Sequence, residues 1–209
     1  MVIIMKVLLI NGSPHSKGCT YTALSYVAES LNKADIDTNI FHIGDNALRG
    51  CNGCGACRDK NRCIHKDLVN EALEIMEQSD GLVIGSPVYY ASSNGALSSF
   101  LDRMFYAGNC FSFKPGASIV SARRAGTTAA LDQLNKYFSI SGMPIVSSNY
   151  WNMVHGNNAA EVVQDIEGVQ IMRTLGKNMS WLLKCIEFSA KAGILPPKPE
   201  KRIYTNFIH

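Results

Sequence analysis

Short apolar runs alternate along this chain with stretches whose apolar residues recur every third or fourth position, which predicts strands and helices in turn. Val7-Leu-Leu-Ile10 is apolar without a break, as a parallel strand buried on both faces is. Leu24, Val27, Ala28 and Leu31 keep helical spacing and predict a helix over roughly Thr20–Lys33. Thr38–Ile43 is a second, more polar strand, suited to a sheet edge. Leu68–Met76 predicts a short helix and Asp80–Gly85 a third strand, while Leu97, Phe100, Leu101 and Met104 form the stripe of the next helix. Ala117–Ser121 and Thr127–Phe138 repeat the strand–helix pair, and Pro144–Ser148 predicts a fifth strand. A long amphipathic helix follows, carried by Val162, Ile166, Val169, Met179, Leu182 and Ile186. The stretch from Leu195 to His209, rich in proline at its start, reads as an extended arm.

Five apolar strands alternating with helices predict an open parallel sheet covered on both faces, with right-handed crossovers. Ligands of such sheets bind beyond the carboxyl ends of the strands. At 209 residues and 46% hydrophobic, the chain can bury one substantial core. The expected organisation is one domain over 1–190, with a cysteine loop inserted at 50–63, and an arm over 191–209. A net charge of +3 without a stripe of Lys and Arg excludes the electrostatic footprint of a nucleic-acid binder. No apolar stretch is long enough to span a bilayer, so no membrane partner is expected. Met1–Ile10 lacks a basic leader and a cleavage site and reads as a strand, not a signal peptide. A cytoplasmic location follows as the expectation; there the seven cysteines would stay reduced, which favours metal or redox chemistry over disulfides.

Three strand-terminal loops carry candidate chemistry. In Gly12-Ser-Pro-His-Ser-Lys-Gly-Cys-Thr20, the hydroxyls of Ser13, Ser16 and Thr20 and the open amides of a helix start make a phosphate cradle, to which His15 and Lys17 add charge. The same residues also read as an ordinary strand–helix turn with a capping hydroxyl. The loop fits neither the dinucleotide nor the triphosphate glycine pattern. In Ser86-Pro-Val-Tyr-Tyr-Ala-Ser-Ser93, proline, adjacent tyrosines and small polar residues can wall a flat ring, or one tyrosine can close the core. Ser121-Ala-Arg-Arg-Ala-Gly-Thr127 places two arginines beside a glycine, either for an anionic ring or as a solvated pair. His155, after the fifth strand, is a further candidate for the same mouth, or a structural histidine.

The densest chemistry is Cys51-x2-Cys54-x2-Cys57-x5-Cys63. Thiols packed as small hydrophobes have no reason to recur every third residue, whereas thiolates aimed at one metal centre do. Gly50, Gly53 and Gly55 allow the close turns such a loop needs. Three readings stand: an iron-sulfur cluster, a zinc site, and a metal-free reduced loop packing against a neighbouring subunit. Cys110 and Cys185 read as core thiols.

With these loops in this order, the chain resembles the NADPH-dependent FMN reductase branch of the flavodoxin-like superfamily. Gly12-Ser-Pro-x-x-x-Gly-x-Thr20, Ser86-Pro-Val-Tyr-Tyr90 and Ala122-Arg-Arg-Ala-Gly126 match its FMN loops, and the resemblance runs from Lys6 to about Ala190. It implies an α/β flavodoxin-like three-layer sandwich with a five-stranded parallel sheet in the order 2-1-3-4-5. It places Ser13, His15, Ser16, Lys17, Gly18, Cys19 and Thr20 around the FMN phosphate. Pro87, Val88, Tyr89, Tyr90, Ala91 and Ser92 would then flank the isoalloxazine, and Arg123 and Gly126 its pyrimidine side. His15 and Cys19 stand where family members often carry Arg and Asn. The cysteine spacing narrows the resemblance to the iron-sulfur flavoproteins. That implies a [4Fe-4S] cluster on Cys51, Cys54, Cys57 and Cys63, FMN near a homodimer or homotetramer interface, and chemistry supplied by the flavin with no catalytic side chain. The implied function is an FMN-dependent oxidoreductase exchanging electrons with a ferredoxin, NAD(P)H or a small-molecule acceptor. The alternatives are a cluster-free NAD(P)H-dependent FMN or quinone reductase, and a non-catalytic flavodoxin-like carrier or zinc-stabilised interaction module.

Overall fold

A computed structural model describes residues 4–45, 47–201, 203, 205 and 207. The elements run β1 (Lys6–Asn11), α1 (Cys19–Asn32), β2 (Asp37–His42), α2 (Leu68–Glu77), β3 (Gly81–Pro87), α3 (Gly95–Ala107), β4 (Gly116–Ala122), α4 (Thr127–Ile140), β5 (Met153–His155), α5 (Ala159–Gln164) and α6 (Ile166–Lys191). All strand pairs are parallel and the order is β2-β1-β3-β4-β5. The expected flavodoxin-like layering is therefore observed. Side chains of a strand alternate between faces, and β1 sorts its residues accordingly. Leu8 and Ile10 join the core under α2, α3 and α4, whereas Val7 and Leu9 join the core under α1, α5 and α6.

Two expectations are corrected. The fifth strand is Met153–His155, not Pro144–Ser148. Ile145 forms only an isolated parallel bridge to Gly116; the chain then leaves the sheet, and pairing resumes when Val120 N donates to the Asn152 carbonyl. The apolar run at 143–146 drew the sequence reading, while Val154, in an apolar pair with Met153 flanked by Asn152 and His155, carries the real register with Ser121. The long helix is also broken. Asp165 adopts a non-helical conformation (φ −74°, ψ 76°), ends α5 and caps α6 by accepting from Gly168 N. Ile166, expected in the core stripe, is 77% exposed, and Leu182 and Ile186 are only half-buried. The face that packs carries Val169, Met172, Leu175, Met179 and Leu183 instead. Cys185 is exposed and is not a core thiol; Cys110 is half-buried.

Beyond α6, Ile194–Lys201 has no regular structure and its side chains are exposed. Of the expected arm, Arg202, Tyr204, Asn206, Ile208 and His209 lie outside the described residues, as do Met1, Val2 and Ile3 of the first apolar run. Among the described residues, no helix is long and apolar enough to cross a membrane.

Candidate functional site

At the carboxyl end of the sheet, β1 passes into the first loop through two successive side-chain turns. Ser13 N donates to Asn11 Oδ1 (3.1 Å) and His15 N to Ser13 Oγ (3.1 Å). His42, the last residue of β2, holds the Ser13 carbonyl through Nε2 at 2.8 Å. The hydroxyls of Ser13 and Thr20, expected to face a phosphate, are used within the protein. Ser13 is buried, and buried Thr20 pairs its Oγ1 with Ser121 Oγ at 2.8 Å. Lys17 donates to the Tyr21 hydroxyl (2.8 Å), which holds that phenol below its usual range. The loop still offers a place for an anion. Helices α2, α3, α5 and α6 are capped by Asp67, Asn94, Asn158 and Asp165, but α1 begins at Gly18 with no side-chain cap. The first amides of α1, at the positive end of its dipole, therefore have no intrahelical acceptor. His15, Ser16 and Lys17 are exposed beside them.

Cys19 opens α1 with its thiol 3.6 Å from the Gly156 carbonyl, and burial pushes that thiol above its usual range. His155 ends β5, next to the Gly156 whose carbonyl meets Cys19. Its backbone amide donates to Asp165 Oδ2 (2.7 Å), its ring lies 3.8 Å from the same carboxylate, and it lines a separate cavity of about 260 Å³ with Tyr150, Met153 and Ile171.

The second loop is a two-residue hairpin. Tyr89 N donates to the Ser92 carbonyl and Ser92 N to the Tyr89 carbonyl, with Tyr90 (φ 52°) and Ala91 (φ 59°) both left-handed. Such a turn normally uses Asn-Gly, because L side chains there cost about 1–2 kcal/mol each. Its surroundings hold it in place. Gln133 Oε1 accepts from Ser92 Oγ (2.6 Å) and Ser93 N (2.9 Å), and Val88 N donates to the Ser121 carbonyl (2.9 Å). The result is that Tyr90 projects fully exposed at the end of the sheet. The third loop closes against this turn at Gly126 (φ 82°), where a Cβ would stand 2.9 Å from the Ala91 backbone and 3.2 Å from Val88. Gly126 also begins α4 without a side-chain cap. Arg123 and Arg124 are exposed beside it. Ser121 joins all three loops: its hydroxyl meets Thr20, its carbonyl receives Val88, and β4 continues from it into the arginines. Sequence reading missed Asn11, His42, Ser121 and Gln133 as scaffolding, since small polar residues near strand ends carry no signal until their partners are known.

A concavity of about 1250 Å³ lies at the opposite end of the sheet, lined by residues such as Lys6, Asp37, Glu74 and Lys184. An open parallel sheet binds ligands at its carboxyl ends, and the convergent loops are there, so size alone does not mark the site.

The four cysteines of the inserted segment line a single small cavity of about 20 Å³ with His65, Arg103 and Tyr106. Gly53 (φ 67°) and Gly55 (φ 71°) take the left-handed conformation the loop needs. Cys51 and Cys54 are exposed; Cys57 is buried and Cys63 half-buried. Burial, and then the neighbouring Cys54, Cys63 and Cys51, push the Cys57 thiol up. Asn70 clamps Cys63 by accepting from its amide and donating to its carbonyl, each at 2.9 Å. Arg103 donates to the Cys63 sulfur through Nε (3.3 Å) and Nη2 (3.2 Å), while Asp67 accepts from Nη1 and Nη2 at 2.8 and 2.9 Å. Burial opposes the charge of both partners, but their mutual pairing holds Asp67 below the usual carboxylate range and Arg103 above its own. A set of sulfur donors around one cavity suits a soft metal centre. Among the described residues, no three potential ligands converge closely enough to grip a single ion.

The model of one protein family, NADPH-dependent FMN reductase, matches residues 5–158. An iron-sulfur flavoprotein of Methanocaldococcus jannaschii is 28% identical over 192 residues, covering 88% of this chain and all of that protein. Among solved structures, RosB with bound 8-demethyl-8-formylriboflavin-5'-phosphate is similar with a TM-score of 0.68 at 15% identity, over 97% of this chain and 92% of RosB. A flavodoxin from the domain Archaea is similar with a TM-score of 0.59 at 13% identity, over 87% of this chain and 99% of that one.

Proposed function

Because the chain belongs to the NADPH-dependent FMN reductase family and is an FMN-dependent oxidoreductase, we propose that it works as an iron-sulfur flavoprotein, with a [4Fe-4S] cluster on Cys51, Cys54, Cys57 and Cys63 serving the flavin. The observation that carries this reading is the meeting of three strand-terminal loops at Ser121, in a chain that gathers four cysteines around one cavity.

In this reading the uncapped start of α1 holds the phosphate through its amides, with Ser16, Lys17 and Gly18 around it. His15 stays at the rim. The hairpin presents Tyr90 and Ala91, whose amides lie outside the hairpin's own hydrogen bonds and are donors for ring heteroatoms. Pro87, Val88, Tyr89 and Ser92 shape that wall, and Gly126 lets it close. Arg123, exposed in the third loop, would offer positive charge to the ring. The flavin would supply two-electron chemistry and the cluster one-electron transfer, so the pair would convert between the two kinds of transfer. The exposed sulfurs of Cys51 and Cys54 leave the cluster edge open to a partner. That partner is a ferredoxin or the flavin of a second copy; NAD(P)H is the alternative electron donor. Exposed Tyr89, Tyr90, Tyr106, Tyr150 and Trp151 suit a homodimer or homotetramer, and reduced thiols suit the cytoplasm.

Anaerobic purification, followed by flavin, iron and acid-labile sulfide analysis, tests the reading. One FMN and about four irons per chain are expected; a yellow, iron-free protein from anaerobic cells leaves the cluster-free reductase as the answer. That second reading rests on the family model, whose matched span already holds all three loops. Steady-state oxidation of NADH and NADPH with quinone or flavin acceptors separates a reductase from a carrier, which should turn over negligibly.

A further inference from the structure

Among the described residues, the largest fully buried side chain is a charged one, Arg103, in the second half of α3 and 1% exposed. A buried ion pair is weak grounds for stability, because apolar side chains of similar volume serve as well. Its hydrogen bonding points elsewhere. A guanidinium has five N–H donors, and here each has a partner. Nη1 reaches Asp67 Oδ2 (2.8 Å) and, more weakly, the Arg49 carbonyl (3.5 Å). Nη2 reaches Asp67 Oδ1 (2.9 Å), and the remaining hydrogens on Nη2 and Nε both meet the Cys63 sulfur. A protonated thiol is a weak acceptor that rewards such a fork poorly, whereas an anionic sulfur makes charge-assisted bonds. Cys63 is also held from behind by Asn70 on both its amide and its carbonyl. One sulfur of the four is thus fixed in backbone and in electrostatics, while Cys51 and Cys54 stand exposed.

We propose that Arg103 is a positioning residue for the cysteine-bound centre, aimed by Asp67, whose two N–H···S bonds at Cys63 raise the centre's reduction potential. This rests on the cluster reading above. Adding one electron to a cluster makes its sulfurs more negative, so hydrogen bonds to a ligand sulfur favour the reduced form. Asparagine at 67 keeps an oxygen to aim the fork but removes the negative charge that offsets it, so that change should act in the opposite sense.

The test is a potentiometric titration of the anaerobically reconstituted full chain with dithionite as reductant, following the one-electron signal by electron paramagnetic resonance. Iron, sulfide and FMN content are measured on each sample. For Arg103→Met the equilibrium constant for cluster reduction should fall about tenfold, which is about 59 mV for a one-electron couple. Arg103→Lys keeps the charge without the fork and should fall between Met and wild type. Asp67→Asn retains an acceptor for the α2 cap and should shift the potential upward. Met and Lys variants that hold four irons at the wild-type potential would overturn the proposal. If neither folds, an Asp67→Asn protein with full iron and no upward shift overturns it as well. Wild-type protein without iron would instead sink the cluster reading and this inference with it, leaving the FMN site untouched.

Discussion

Replacing Gly126 with alanine tests whether the flavin loops are built as one unit. At φ 82° an L residue is strained by about 1–2 kcal/mol. The new Cβ would also stand 2.9 Å from the Ala91 Cα and 3.1 Å from its Cβ, so the hairpin must move by a few tenths of an ångström. That hairpin already holds two left-handed residues, and overpacking of this kind costs about 1–3 kcal/mol. Together the loss is about 2–5 kcal/mol, or roughly 4–20 °C in Tm for a chain of this size. A control separates strain from clash. Gly142 has a similar φ of 67°, but its Cβ would meet nothing nearer than Ser112 Oγ at 3.7 Å. Gly142→Ala should cost about 1 kcal/mol and leave flavin binding unchanged. Thermal melts of the apoproteins and quenching of FMN fluorescence on titration read both effects. Gly126→Ala should weaken FMN binding by at least about tenfold, equivalent to ~1.4 kcal/mol. Wild-type FMN affinity, with a Tm loss no larger than that of the Gly142 control, would refute the view that the hairpin and the third loop close on each other to form the flavin wall.

Cys54→Ala should abolish iron binding while FMN stoichiometry and unfolding free energy stay within about 0.5 kcal/mol of wild type, because the side chain is exposed; joint loss of FMN and folding would make the loop structural. Tyr90→Gly should stabilise the apoprotein by about 1 kcal/mol, since it relieves a left-handed residue whose ring packs on nothing, yet weaken FMN binding. A destabilised apoprotein in a chemical unfolding curve would contradict that. Burial raises the Cys19 pKa, so its reactive thiolate forms only at higher pH than in a free cysteine. In the apoprotein at pH 8, iodoacetamide should label Cys19 well after exposed Cys185, with the gap narrowing as pH rises; mass spectrometry showing equal or faster labelling of Cys19 would overturn the assignment.

Four of the five strands and the loops after them were legible because their signals are local. A buried parallel strand must be apolar residue after residue, and Val7–Ile10 and Leu82–Ile84 are. β5 was not legible, because only three residues pair and their neighbours are polar: a strand that short is defined by β4 beside it. The break at Asp165 was hidden for a similar reason. Helical spacing continues across it, but the carboxylate is taken by the His155 and Gly168 amides, and His155 N lies ten residues upstream.

The chemistry divides along the same line. Cysteine spacing, the Gly-Ser-Pro loop, the adjacent tyrosines and the paired arginines are short-range patterns, and the chain alone determined them. What only the tertiary structure decided is how they are held. Thr20 reaches Ser121 across 101 residues, Ser92 reaches Gln133 across 41, and Arg103 reaches Cys63 across 40. In the sequence Arg103 is one more charge on a helix beside Asp102. Its meaning appears only when α3 brings it under the cysteine loop, because a buried guanidinium persists only where every donor has found a partner, and those partners lie 36, 40 and 54 residues away.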